Sequence, residues 1–409
     1  MNGRPIFIPR PGERKGGPGQ PRLNRDRKRD LRIWWREIDR VLLGLVLALM
    51  AAGTLAVAAA SPASAHRLST DETTLPALYF FWAHIRWQMV GLIVLLLTSM
   101  VASRELRRGA ILLGAAMLVG LLLVPLVGSE INGARRWLNL GFSLQPSEFL
   151  KPAFALILAW VLSWKMRDQN LPVVGITAAF VGLICVLLMM QPDLGSAILF
   201  AGCWGVMVVV AGLPLQRLGY LSGAGVALLV LAYLFYDNAR NRIDTFLGGP
   251  TAYDHVDLAS RTLGGGGWFG SGFWLGREKM RLPEAHTDYI FSVIGEEFGL
   301  IACGVIVILY LAIVLRVLVR LVEEDRLYMI LAASGLTALI GGQAFINILV
   351  NLQLFPSKGM TLPLVSYGGS STIAVCLTVG MLLAVTRRNP YLEREPFDFA
   401  AGFEKEDAS

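Results

Sequence analysis

Long apolar runs separated by short polar segments set the pattern of this chain. Runs of about 18 residues or more, long enough to cross a bilayer as a helix, occur ten times: near 41–60, 87–103, 109–128, 147–164, 172–190, 195–213, 218–236, 288–315, 327–350 and 369–386. The pattern predicts an all-α polytopic membrane protein with ten transmembrane helices, and an even number returns both termini to one side. One polar segment is long, residues 237–287 between the seventh and eighth runs. It carries Gly264-Gly265-Gly266-Gly267, Trp268, Trp274, Arg277, Lys279 and Arg281. Its aromatic and basic content suits a flexible lid resting on lipid headgroups more than a mere surface linker.

Composition narrows the class. Only 16% of residues are charged, 55% are hydrophobic and the mean hydropathy is +0.56, which excludes a soluble globular protein, intrinsic disorder, a collagen-like repeat and a disulfide scaffold. The net charge of +7 resides entirely in residues 1–40, with 12 Lys and Arg against 5 acids; the remainder holds 25 of each sign. With the termini cytoplasmic, 25 of the 37 bases fall on inside segments, as the positive-inside rule requires. The resulting organisation is a basic cytoplasmic tail (1–40), a membrane domain (41–387) with an extracytoplasmic loop (237–287), and a cytoplasmic C-terminal tail (388–409). Ahead of a span, the basic tail points to membrane lipid rather than nucleic acid, and Trp34 and Trp35, between Arg32 and Arg36, look like an interfacial anchor. Ala63-Ser64-Ala65 resembles a signal cleavage site, but the basic region and the apolar run before it are long for a signal, favouring a retained helix. Cys185, Cys203, Cys303 and Cys376 lie in apolar runs, and no metal-ligand spacing is present.

Polar residues that spans normally avoid collect at the outer ends of the predicted helices, where costly charges usually mark a site. Gln145-Pro146-Ser147-Glu148 and Gln191-Pro192-Asp193-Leu194 each open a helix. Pro146 fits the first helical position, and Glu148 and Lys151 stand three apart on one face, as a site or as a self-satisfied ion pair. Leu282-Pro283-Glu284-Ala285-His286-Thr287-Asp288-Tyr289 ends the long loop, and on residue type alone Asp288 reads as a helix cap. Glu296 and Glu297, eight and nine residues further in, require basic or hydrogen-bonding partners. The last outside segment, from Leu354 to Ser371, joins Lys358 to Pro, Gly and hydroxyl residues. It suits an anion at the membrane face or a re-entrant turn packed in protein. These readings leave two classes open, a transporter and an enzyme acting on a lipid-linked anion.

Five blocks, in order, carry a resemblance: Gly133-Ala134-Arg135-Arg136-Trp137-Leu138, Gln145-Pro146-Ser147-Glu148-Phe149-Leu150-Lys151, Gln191-Pro192-Asp193-Leu194-Gly195-Ser196, Pro283-Glu284-Ala285-His286-Thr287-Asp288, and Lys358-Gly359-Met360-Thr361-Leu362-Pro363-Leu364-Val365-Ser366-Tyr367-Gly368-Gly369-Ser370-Ser371. Together they resemble the SEDS family (shape, elongation, division and sporulation proteins), ten-helix peptidoglycan glycosyltransferases of the bacterial inner membrane, over about residues 41–388. Ala285, where elongation members typically carry Arg, and the following Ile294-Gly295-Glu296-Glu297 make the chain more similar to the cell-division members, with elongation as the alternative. Asp257-Leu258-Ala259-Ser260-Arg261 departs from the family's usual Gln-Ser pair.

The resemblance implies a substrate, lipid II, whose disaccharide units are joined into glycan with release of undecaprenyl pyrophosphate. It implies Asp288 as the catalytic acid, here assigned the general-base role. Arg135, Arg136, Lys151, Arg242 and Lys358 are candidates to neutralise the diphosphate, Glu148 to hold Lys151, and His286 and Ser370 to contact substrate. A divalent cation, Mg or Mn, is an optional aid, and no cage for it is legible. Implied partners are a class B penicillin-binding protein transpeptidase and other division-complex proteins at the septum. A lipid II flippase would need a polar path at the bilayer midplane, whereas the polar groups here cluster on the outer side; a scaffold would need neither Asp288 nor the cations.

Overall fold

A computed structural model of the chain describes residues 27–70, 74–131, 134–139, 141, 143–166, 171–212, scattered residues between 219 and 248, 255–356 and 359–388. Residues Arg27–Glu37 form helix α1, within a compact unit of their own that ends at Glu37. The second unit holds the membrane helices. Six of them are long and apolar enough to cross a bilayer: α2 (Arg40–Leu68), α3 (Tyr79–Ser99), α4 (Ser103–Val127), α5 (Pro146–Ser163), α9 (Ile290–Leu321) and α10 (Leu327–Asn351). Three shorter apolar helices are α6 (Val173–Met189), α7 (Leu194–Val210) and α11 (Gly369–Val385), and a short α8 (His255–Gly265) precedes α9. Nine of the ten apolar runs therefore coincide with helices among the described residues; the run near 218–236 lies largely outside them.

The helix starts follow local chemistry. Pro146 occupies the first turn of α5, and the Asp193 carboxylate accepts the Ser196 N–H at 3.3 Å to cap α7, so both Gln-Pro motifs open helices as their sequence suggests. Helix α3 begins eight residues before its apolar run and buries His84 and Gln88 inside the bundle. The Gln88 side chain donates to the Met50 carbonyl at 3.0 Å and accepts from Thr54 Oγ1 at 2.8 Å. Within their apolar windows, α5 and α10 are 72% and 67% buried against 22% to 28% for α3, α4 and α9. Helices α5 and α10 thus form the centre, and the other three turn apolar side chains such as Leu112, Leu126 and Ile308 outward.

An all-α reading needs one correction. Between α4 and α5 lies a three-stranded antiparallel sheet in the order β1 (Ser129–Ile131), β2 (Ala134–Asn139), β3 (Ser143–Leu144). Its register pairs Ser129 with Trp137 and Leu138 with Leu144. The strands are too short to register in a search for membrane-length runs, but they set the orientation of the Arg135-Arg136 pair.

Two prolines shape the helices around the site. A proline lacks the N–H that would bond the carbonyl four residues back. In α2, Pro62 frees the Ala58 carbonyl, which accepts the Trp274 indole N–H at 3.0 Å; in α4, Pro125 frees the Leu121 carbonyl, which accepts Gln191 Nε2 at 2.7 Å. Both vacated acceptors are taken by residues from segments that frame the polar end of the bundle.

Candidate active site

Alternation along β2 sends successive side chains to opposite faces. Arg135 is exposed, whereas Arg136 is 9% exposed and turned inward. The Arg136 guanidinium donates through Nε to the Gln191 carbonyl at 3.3 Å and through one terminal nitrogen to the Pro192 carbonyl. Its other terminal nitrogen faces Gly359. A methyl group built on Gly359 would lie 3.7 Å from that nitrogen and 3.4 Å from Asp288 Oδ2. The carboxylate and the guanidinium therefore converge on one glycine, whose φ of +54° is a left-handed conformation that glycine adopts without strain.

Asp288 does not cap a helix. Residues 284–289 form a turn in which the Thr287 and Tyr289 amides donate to the Glu284 carbonyl, α9 starts at Ile290, and Tyr289 stands at the N-cap with no side-chain bond. The backbone just before Asp288 is tied to the 359–368 segment: Tyr367 N–H donates to the His286 carbonyl at 3.0 Å, and Ser366 Oγ donates to the Thr287 carbonyl at 2.6 Å. From α10, Asn347 and Asn351 donate to the Asp288 carbonyl at 2.8 and 3.2 Å.

His286 is buried, with its ring centroid 4.2 Å from that of Phe80 and 5.4 Å from that of Tyr367. Burial drives its pKa down to about 4, against an opposing pull from Glu284, so the imidazole is neutral at pH 7. Ser370 is buried in the first turn of α11. Lys151 is 4% exposed and donates to Glu148 at 2.6 Å and to Gln343 Oε1 at 2.8 Å; Gln343 passes the connection on by donating to the Thr361 carbonyl at 3.0 Å. The Glu148–Lys151 pair thus reaches the Asp288 side of the molecule through one amide side chain. Arg242 and Lys358 lie outside the described residues.

The segment before the site is held tightly in its described part. Glu296 accepts the Glu278 and Lys279 amides at 2.7 and 2.9 Å; Glu297 accepts the Trp274 and Gly276 amides and the Lys279 ammonium. Lys279 Nζ also donates to the Ala59 carbonyl at 3.0 Å. The two acids find their partners there, so the backbone of residues 274–279 is bonded to α9, while Trp268 and Phe269 stand exposed beside it.

Three side chains at this end escaped the sequence reading: Gln343, Asn347 and Asn351. Their signal was a carboxamide every fourth residue along an otherwise apolar helix, which places all three on one face.

Residues 39–391 match the cell cycle protein family of FtsW, RodA and SpoVE. The chain is 36% identical over 362 residues to the probable peptidoglycan glycosyltransferase FtsW of Caulobacter vibrioides, covering 88% of this chain and 92% of that protein. It is also 36% identical to the protein of the same description from Trichlorobacter lovleyi, covering 86% and 93%. Among solved structures, it resembles a chain of a peptidoglycan synthase complex that coordinates polymerization and crosslinking, with a TM-score of 0.69 at 30% identity over 86% of this chain and 98% of that one. The rod shape-determining protein RodA of Thermus thermophilus gives a TM-score of 0.64 at 30% identity, over 88% and 99%.

Proposed function

The chain belongs to the FtsW, RodA and SpoVE family, and from that premise we propose that it is a peptidoglycan glycosyltransferase that polymerises lipid II, building septal wall in cell division. The observation that carries the site assignment is the convergence of the Asp288 carboxylate and the Arg136 guanidinium on Gly359. Glycosyl transfer from a lipid diphosphate needs a base for the incoming hydroxyl and a cation for the departing diphosphate. Asp288 takes the proton from the acceptor sugar hydroxyl as its oxygen attacks the anomeric carbon of the donor. The bond to the diphosphate breaks on the opposite face, and Arg136 stabilises the charge that develops on the leaving oxygen. The donor linkage is α and the product β, so one inverting displacement with one base suffices.

Arg135, Lys151, Arg242 and Lys358 are assigned to the same diphosphate, Glu148 to holding Lys151, and His286 and Ser370 to contacting substrate. Among the described residues no three His, Cys, Asp or Glu side chains gather. These described donors build no dedicated divalent-cation cage, and no step is assigned to one. The topology is ten helices with both termini cytoplasmic in the bacterial inner membrane and a long extracytoplasmic loop before α9. The partner that crosslinks the product is a class B penicillin-binding protein, within a septal complex.

The test is lipid II polymerisation by the purified protein together with its transpeptidase partner, that partner carrying no working polymerase, with Asp288→Asn as the comparison. Glycan from the native protein and a loss of about 100-fold or more in the variant, with folding and partner binding retained, is the expected result. Equal glycan from both removes Asp288 from the chemistry. Absence of glycan from the native protein, alongside movement of lipid II across vesicles, would favour a transporter.

A further inference from the structure

In a continuous helix the Ser292 N–H would bond the Asp288 carbonyl four residues back. The side chain of Asn351 stands in that place. Its Nδ2 donates to the Asp288 carbonyl at 3.2 Å, and its Oδ1 accepts from the Ser292 N–H at 3.2 Å and from Ser292 Oγ at 2.7 Å. One carboxamide thus bonds both ends of a helical backbone bond that has not formed, sharing the Ser292 N–H with the Tyr289 carbonyl at 3.1 Å. Asn347, one turn earlier on α10, donates to the same Asp288 carbonyl at 2.8 Å and to the Met360 carbonyl at 2.6 Å, joining the two segments that meet at Gly359. Asn351 is fully buried and Asn347 2% exposed.

We infer that Asn351, supported by Asn347, is a positioning residue that keeps Asp288 out of helix α9 and thereby aims its carboxylate at Gly359 and Arg136. The inference rests on the reading of Asp288 as the base. Closing the Ser292–Asp288 bond would wind the preceding residues into α9, and each residue drawn into a helix turns its side chain by about 100° about the axis. The carboxylate would leave the line between acceptor and donor. Only a carboxamide performs this splice, because it is neutral and offers a donor and an acceptor on one planar group, as a peptide does. Leucine has neither, and an aspartate has no donor for the Asp288 carbonyl. Burying two such amides in an apolar helix is costly unless they are bonded, and here their bonds go to the backbone that carries the catalytic group.

The experiment measures steady-state lipid II polymerisation, with the transpeptidase partner present, for the native chain, Asp288→Asn, Asn351→Leu and Asn351→Ser, alongside thermal unfolding of each. Asn351→Ser is included because it introduces no apolar mismatch against buried polar backbone. Both Asn351 variants are expected to lose about 10- to 100-fold in kcat per folded molecule, the scale of a misplacement of about 1 Å, with KM for lipid II held within about twofold. A purely structural role would lower the unfolding midpoint and the folded fraction but leave kcat per folded molecule in place. An unchanged kcat in either folded variant, with Asp288→Asn inactive, overturns the positioning role and leaves the polymerase reading standing. Native levels of glycan from Asp288→Asn would instead overturn the base assignment, and this inference with it.

Discussion

At Gly359 a single hydrogen separates backbone from the two charged groups of the site. Gly359→Ala places a methyl 3.4 Å from Asp288 Oδ2 and 3.7 Å from the Arg136 guanidinium, on a residue with φ of +54°. Left-handed backbone costs an L-residue about 1–2 kcal/mol, so a modest fall in the unfolding midpoint is expected. Glycan synthesis should fall by about 10-fold or more, because the methyl occupies the space a sugar or diphosphate oxygen would need. An activity loss no larger than the stability loss would show that substrate does not pass this point. Asp288 and Arg136 could be nominated from the sequence because both stand in blocks that carry the family resemblance. Gln343, Asn347 and Asn351 were not, since a hydropathy average over a whole span absorbs three amides without falling below a membrane threshold. His286 could be nominated from its motif, while its packing against Phe80 and Tyr367 depends on segments far apart in the chain.

Among the elements, α9 shows how a break becomes an anchorage. Its backbone leaves the helix at Gly299, with φ 86° and ψ 170°. The turn at 266–272 enters the break: Ser271 and Gly272 amides donate to the Glu296 and Glu297 carbonyls at 2.8 and 3.1 Å, and the Leu300 and Ile301 amides donate to the Gly267 and Trp268 carbonyls at 3.0 and 3.3 Å. Backbone groups freed by the kink are thus paired across it, as a low-dielectric setting demands. Below them, Lys279 and Glu297 form a fully desolvated pair. Lys279→Met leaves Glu297 buried with no countercharge, held only by the Trp274 and Gly276 amides, and should cost about 3–5 kcal/mol, and adding Glu297→Gln should recover part of that loss. Thermal unfolding of the two single variants and the double variant measures the coupling; additive losses would mean that the pair contributes nothing as a pair. The sequence announced that Glu296 and Glu297 need partners, but the partners come from a glycine-rich stretch whose composition reads as free loop. The β1–β3 sheet was hidden for a related reason, since strands of two to six residues are set by register with one another and not by an apolar run.

Across the whole molecule, the end of α9 remote from the site is latched to the start of α2. Asp39 caps α2 through the Val41 and Leu42 amides at 3.0 and 3.2 Å and accepts from Arg316 and Arg320 at 2.8 and 2.7 Å. Burial alone would raise this carboxyl's pKa, but the Arg316 bond, the Leu42 amide and Arg320 outweigh it and hold the value below the ordinary one. The sign follows from proton binding. Between the lowered folded value and the ordinary value near 3.9 the unfolded chain holds more protons, so the latch stabilises fully above that range and fails as pH falls through the folded value. Asp39→Asn should lower the unfolding midpoint at neutral pH and flatten its decline from about pH 5 to about pH 2; a decline of unchanged steepness would place the acid sensitivity elsewhere. The ten-run pattern foresaw the helices this latch joins, while the latch itself needed three dimensions, with Asp39 and Arg316 lying 277 residues apart in the chain. The docked turn also bears on how such a protein can be engineered. Glycine-rich surface segments are the customary places to insert a fluorescent reporter or an epitope, and residues 264–276 look like one on paper. Here an insertion between Gly266 and Arg281 would pull paired backbone out of a membrane helix, so a tagged protein would be lost as a folding mutant, and reporters belong on the tails.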